Sequence, residues 1–183
     1  MISRLTVLLL GIVAILPILS AGCRNDRRRS ARMAAALARP ASKEALIRRA
    51  VRALRDNDSS AYVGLMSTVS EVTRACPDRF EDRAPGKLRA KWRRMIERSR
   101  ERISHCGRII DWKKAHQTSV TGGEVRAQLP KCEEKVIRLK DIVVTFTVEK
   151  KRFEVRLTKP YVRGDTIWGF SNGPRCRAFP SGS

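Results

Sequence analysis

The sequence predicts an α+β domain, with N-terminal helices packed on an antiparallel β-sheet and two disulfides stapling it. Three observations predict this class. Apolar residues recur at helical spacing from Leu46 to Ile103, and the period changes to alternation after Cys106-Gly107. Four cysteines remain once the one near the N-terminus is set aside. Helices first and a meander after them is the order of a sheet with one face covered by helices.

The chain opens with Arg4 and a greasy run of 15 residues, Leu5 to Leu19, interrupted by Pro17. A helix crossing a bilayer needs about 20 apolar residues, so this run reads as a signal peptide over residues 1–22. Ser20, Ala21 and Gly22 lead into Cys23, and this stretch resembles the lipobox of bacterial lipoproteins. Ser20 stands where that pattern prefers leucine, which here lies one place earlier at Leu19. The resemblance implies an acyl lipid such as palmitate on Cys23 and a domain anchored in the bacterial cell envelope, facing the periplasm or the outside. Cleavage after Ser20-Ala21-Gly22 by ordinary signal peptidase, giving a secreted protein, is the alternative. The arginines after the run, Arg24, Arg27, Arg28, Arg29 and Arg32, favour the opposite orientation. The even set of remaining cysteines favours export.

The 183 residues carry 39 basic and 18 acidic side chains, and the signal peptide contributes only Arg4 to that imbalance. A surplus this large attracts anionic surfaces and repels within the chain. Arginine and alanine enrichment together also follow from a GC-rich coding bias, and residues 27–39 show both. Cys76, Cys106, Cys132 and Cys176 read as two disulfides in an exported chain. They lack the close Cys-x-x-Cys pairs that structural zinc sites use, so no metal is expected. Four cysteines allow three pairings. Cys106–Cys132 with Cys76–Cys176 is preferred, because the first pair brackets an apparent hairpin.

In order, residues 23–41 form a basic, Arg/Ala-rich tether, residues 42–178 a single domain, and residues 179–183 a disordered tail. Ser42 is an N-cap for a helix with Leu46, Ile47, Ala50, Val51 and Leu54 on one face, stopping at Asp56-Asn57-Asp58. Tyr62, Leu65, Met66 and Val69 mark a short second helix, and Cys76-Pro77 starts a loop to Pro85-Gly86. A third helix from Lys87 buries Leu88, Trp92, Met95, Ile96 and Ile103. Its span Lys87 to Arg102 holds eight basic and two acidic residues, with Glu97 and Glu101 spaced to pair with Arg93 and its like. Arg89, Arg93, Arg94, Arg98 and Arg100 are the candidate anion-binding residues. Trp92 reads as core in preference to a ligand-stacking residue.

Beyond Gly107, Arg108 to Thr121 and Glu124 to Leu129 flank Gly122-Gly123, a hairpin signal because tight turns need positive φ. Ile142 to Val148 is the clearest strand, and Glu149-Lys150-Lys151 turns it into Phe153, Val155 and Leu157. Tyr161-Val162, a turn at Gly164-Asp165, and Thr166 to Phe170 follow. Pro174 and Pro180 end regular structure around Cys176.

Two stretches resemble the nuclear transport factor 2-like fold found in small bacterial lipoproteins. Ala53 to Leu65, ALRDNDSSAYVGL, is similar to its first helix, acidic break and aromatic-led second helix. Gly164-Asp165-Thr166-Ile167-Trp168 is similar to the turn and tryptophan of its last strand. The resemblance covers residues 42–170, mainly by element order, and the disulfides and Arg-rich helices depart from it. It implies a curved, cone-like sheet folded round helices, often with an internal pocket. Some members are enzymes using Asp and His there, and many are not.

His105, His116, Asp111 and Asp141 are the acid–base candidates, with no nucleophile elbow, phosphate loop or dinucleotide fingerprint beside them. The expected function is therefore a non-catalytic envelope lipoprotein whose domain binds a small ligand or protein partner, without a cofactor. A polyanion-binding module using the basic helix is the alternative, and a small-molecule enzyme with an Asp/His pocket the second. The export signal favours an anionic envelope polymer or lipid over nucleic acid. Labelling with a radioactive fatty acid should mark the protein and leave the Cys23→Ser variant blank. Equal labelling of both rejects lipidation at Cys23.

Overall fold

The structure, a computed structural model, describes residues 39–164 and 167–179. The expected signal peptide, Cys23, most of the expected basic tether and residues 180–183 of the expected tail lie outside the described residues. Arg39 and Pro40, read from sequence as the end of the tether, are fastened to the domain: the Pro40 carbonyl accepts from the Trp168 amide at 3.1 Å. Among the described residues no helix is long and apolar enough to cross a membrane.

Helix α1, Lys43–Arg55, begins where Ser42 Oγ accepts from the Ala45 amide at 3.1 Å. Leu46, Ala50 and Leu54 on its inner face are fully buried, each aliphatic leucine worth about 1.5–3 kcal/mol. Asn57 takes a left-handed φ of 49°, and Asp58 caps α2, Ser59–Gly64, through the Ala61 amide. Tyr62 of α2 is fully buried and stacks on Phe170 with ring centroids 5.7 Å apart.

The second helix is shorter than the sequence suggests, because the chain leaves helical geometry at Leu65 to pair with a strand. The Phe170 amide donates to Leu65 O, and the Ser67 amide donates to Phe170 O, both at 3.0 Å. Val69 then opens a separate helix, α3, Val69–Ala75, closed at its start by a Thr68/Glu71 capping box. A 3-10 turn, Pro77–Arg79, and a loop lead to α4, Pro85–Ile109. Helix α4 keeps going through Gly107, where strand was expected, because Cys106 faces the core.

The β region is a meander of four long strands, each bent so that its halves join different sheets. Strands β1 (His116–Gly122), β4 (Ile142–Val148), β5 (Lys151–Leu157) and β8 (Arg175–Phe179) form one antiparallel sheet, in that order. Strands β2 (Val125–Gln128), β3 (Val136–Leu139), β6 (Pro160–Arg163) and β7 (Ile167–Phe170) form the other. Gly122-Gly123 is thus a corner and not a hairpin turn: β1 pairs with β4, while β2 pairs with β3. Both glycines have φ above 80°, and a Cβ on Gly122 would sit 2.1 Å from the Asp141 carbonyl oxygen. Strand β8, unassigned from sequence, pairs with β5 from Arg152↔Phe179 to Arg156↔Arg175, so Phe179, expected at the start of the disordered tail, is held in the sheet.

A line of polar bonds follows the crease. Lys43 Nζ donates to Gly122 O at 2.9 Å, the Lys159 amide to Asp141 Oδ1 at 2.9 Å, and Thr158 Oγ1 to Gly173 O at 2.8 Å. The inner face of the β1-β4-β5-β8 sheet is filled by Ile142, Val144, Phe146, Val155 and Leu157, packed with α1 and α4 in one core. A smaller cluster of Ala75, Cys76 and Val136 sits apart from it.

Two disulfides form, but with neither expected partner. Cys76 pairs with Cys132 and Cys106 with Cys176. Because β1 and β2 are not a hairpin, the residues bracketing them are not neighbours. Cys106 on α4 meets Cys176 of β8, whereas Cys132 in the β2–β3 turn meets the end of α3. Non-reducing peptide mapping should return these two pairs. Replacing Cys106 and Cys176 with alanine should cost about 2–5 kcal/mol by chemical denaturation. A Cys106–Cys132 peptide would overturn this topology.

Candidate ligand cleft

A candidate cleft lies between α3, the turn after it and the first half of α4. Its mouth has a volume of about 1000 Å³ and is lined by Val69, Thr73, Phe80, Leu88 and Trp92, with Arg83, Arg89 and Arg93 at the rim. A second lobe of about 340 Å³ shares Val69, Leu88 and Trp92 and continues past Val72 and Met95 to Leu129 and Arg138. The two lobes form one trough, because the residues that they share form its middle.

Helix α3 has seven residues, too few to hold its shape alone. Its position comes from contacts at both ends. At the start, Thr68 Oγ1 accepts from the Glu71 amide at 3.2 Å, and the Thr68 amide donates to Glu71 Oε2 at 2.7 Å. Arg39 closes on the same carboxylate, Nε donating to Glu71 Oε1 at 3.2 Å, and its other nitrogens donate to the Gly64 and Met66 carbonyls. At the end, Cys76–Cys132 ties α3 to the β2–β3 turn. The opposite wall is set by Trp92, whose Nε1 donates to Ser67 O at 2.7 Å. Trp92 therefore packs against the core and also offers the cleft a fixed apolar surface.

The cleft is electropositive. Arg79, Arg83, Lys91 and Arg138 line the inner lobe with no carboxylate among them, and Glu81 is the one acid at the mouth. Arg83 lies over the Phe80 ring at 5.7 Å. The expected local pairing of Arg93 with Glu97 does not form: among the described residues neither Arg89 nor Arg93 has an ion-pair partner.

The five candidate arginines of α4 are all exposed, but they do not converge. Arg89 and Arg93 stand on the cleft rim. Arg94 and Arg98 lie roughly 100–180° around the helix axis from them at 100° per residue. Arg100 shares the side of Arg93 but is about two turns further along. Arg83, Arg79 and Arg138, which come from a loop, a turn and a strand, carry no local signal that marks them as cleft residues.

The acid–base candidates stay scattered. His105 and His116 are exposed, Asp111 accepts from the Lys113 amide, and Asp141 is used in the crease. Among the described residues no three His, Cys, Asp or Glu side chains group as metal ligands. Tyr62 is the most perturbed group: burial pushes its phenol far up, against the opposing pull of Arg102, so the hydroxyl stays protonated. That hydroxyl has no hydrogen-bond partner among the described residues. Leaving it bare costs about 1–3 kcal/mol, which ring burial and stacking on Phe170 offset.

Burial pushes the Glu71 carboxyl up, but the Thr68 amide and Arg39 guanidinium outweigh it and hold the group below the usual carboxylate range. A depressed carboxylate stabilises the fold above its unfolded pKa, and that stability is lost as pH falls through the folded value. Glu71→Gln should therefore lose about 1–2 kcal/mol at pH 7, with the gap to the parent shrinking below about pH 4. Denaturant titrations at pH 7 and pH 3 check this, and an equal gap at both pH values rejects it.

No family model, curated protein or solved structure matches this chain.

Proposed function

We propose that this protein is a non-catalytic, envelope-anchored lipoprotein whose α+β domain holds a small ligand in the cleft between α3 and α4. The observation that carries the reading is the trough itself: an apolar floor of Val69, Leu88 and Trp92 continuous with a second lobe, its walls held by long-range ties. Small-molecule sites are concave, mostly apolar and carry a few placed polar groups, and this cleft has that character. The lipobox-like Ser20-Ala21-Gly22-Cys23 supports anchoring, and the creased sheet around helices is consistent with the nuclear transport factor 2-like resemblance.

The second reading is a polyanion binder acting through Arg89, Arg93, Arg94, Arg98 and Arg100. Their exposure favours it, and their spread around α4 disfavours a single shared face. Steep loss of binding with salt would separate it from cleft binding.

Protein isolated from its own envelope should carry a bound small molecule in native mass spectrometry. A Thr73→Trp variant, which fills the mouth from α3, should lose that mass while keeping the parent's circular-dichroism spectrum and cooperative unfolding, with a melting temperature lowered only by the lost ligand. A bound mass retained by the filled variant, or none on the parent, overturns the reading.

A further inference from the structure

We infer that the ligand of this cleft is a single-chain anionic amphiphile, an acyl chain carrying a phosphate or carboxylate head. The inference rests on the ligand-binding reading above and names the chemistry of the occupant. Two properties of the trough select it together. The floor along Val69, Leu88 and Trp92 is apolar and leads to Val72 and Leu129, so it favours hydrocarbon. The same trough is rimmed by guanidiniums, with Arg83, Arg89 and Arg93 at the mouth against one carboxylate, Glu81.

Each simpler occupant satisfies only half of this surface. A bare anion pairs the arginines and leaves the floor wet. An uncharged hydrocarbon dries the floor, but it removes water from cations that then have nothing to face. An amphiphile pairs head with guanidiniums, which bind phosphate and carboxylate bidentately, and chain with floor. The head belongs at the wide mouth beside Arg83, Arg89 and Arg93, where it keeps part of its hydration, and the chain lies along the floor of Val69, Leu88 and Trp92.

The chain's own tether is the wrong sign for this place, since Arg24, Arg27, Arg28, Arg29 and Arg32 would meet a rim of arginines. A second copy of the protein brings the same surplus of positive charge.

The test uses the full chain carrying Cys23→Ser, so that no covalent lipid contributes, and follows tryptophan emission and calorimetry. The probes are n-decyl phosphate, n-octyl phosphate, n-decanol and inorganic phosphate. Decyl phosphate should bind at least about tenfold more tightly than decanol or inorganic phosphate. It should also exceed octyl phosphate by roughly tenfold for the two added methylenes. Arg89→Gln with Arg93→Gln should weaken decyl phosphate about tenfold and leave decanol unchanged. Leu88→Gln should weaken decyl phosphate and decanol alike. Arg94→Gln with Arg98→Gln, off the cleft, should change neither.

Inorganic phosphate binding as tightly as decyl phosphate overturns the inference in favour of a plain anion site. Decanol matching decyl phosphate overturns it in favour of an uncharged ligand. An acidic peptide displacing decyl phosphate more strongly than octyl phosphate does would point to a protein partner and overturn it too. If decyl phosphate fails while the native bound mass is still lost in Thr73→Trp, the inference falls and the ligand-binding reading stands. If that mass is also absent, both fall.

Discussion

The approach of the Gly122 backbone to the Asp141 carbonyl is the constraint on which the rest of the molecule depends. No side chain fits at Gly122, where a Cβ would lie 2.1 Å from the Asp141 oxygen. The two strands can therefore bend together, and their neighbours bend in step at Thr158-Lys159 and Ser171 to Pro174. The polar groups freed by the bend are not abandoned. The Asp141 carboxylate, the Thr158 hydroxyl and the Lys43 ammonium bond backbone groups along the line. Without the crease, four strands of this length would make one continuous twisted sheet. With it, one half packs on α1 and α4 while the other half turns towards α3.

That division explains why the core and the cleft lie in different places. The β1-β4-β5-β8 half is filled to closure, and its contact with α4 is intimate. Gly173 lies so near Ser99 that a Cβ would approach it within 2.7 Å, and Cys106–Cys176 crosslinks the same interface. In the β2-β3-β6-β7 half, β7 packs on α1 and α2, with Phe170 stacked on Tyr62, while the β2–β3 end meets the short helix α3 and the loop after it. Seven helical residues and a 3-10 turn cannot cover that surface, so a trough stays open between α3 and α4. Long-range ties hold the trough's shape: Arg39 to Glu71, Cys76 to Cys132, and Trp92 to Ser67. A site built this way is preorganised by contacts that reach from its walls to distant parts of the chain.

The excess of positive charge is distributed with some local compensation. On the outer face of the first sheet Arg156 stands directly opposite Arg175, an unfavourable cross-strand pair. Glu154 nearby accepts from Arg152, and both Arg152 and Arg177 lie over the Phe179 ring. Burial pulls the pKa of Arg102 down, and the neighbouring guanidiniums of Arg175 and Arg98 pull it further. Its Nη1 donates to Asn172 Oδ1. The cleft arginines lack such relief, since Arg89 and Arg93 face no carboxylate of their own among the described residues.

Local features of this chain were legible in its residues. Ser42 caps α1, Leu46 to Leu54 bury one face, Asp56-Asn57-Asp58 breaks the helix, and Ile142 to Val148 alternates as a central strand. These follow from interactions within a few residues, where periodicity and capping chemistry act. The Thr68-x-x-Glu71 capping box is equally local, and it marks the start of α3. What the sequence could not determine was which distant segments meet. Gly122-Gly123 supplies positive φ, but a hairpin and a corner need that conformation alike, and only the register of β1 on β4 selects the corner. The cysteine pairing depends on the same choice: a hairpin would bring Cys106 to Cys132, and the corner sends Cys106 to Cys176 and Cys132 to Cys76. The cleft was hidden for the same reason. Its arginines come from α4, a loop, a turn and β3, and their convergence is a property of the creased sheet, set by packing over the whole chain and by no single stretch of it.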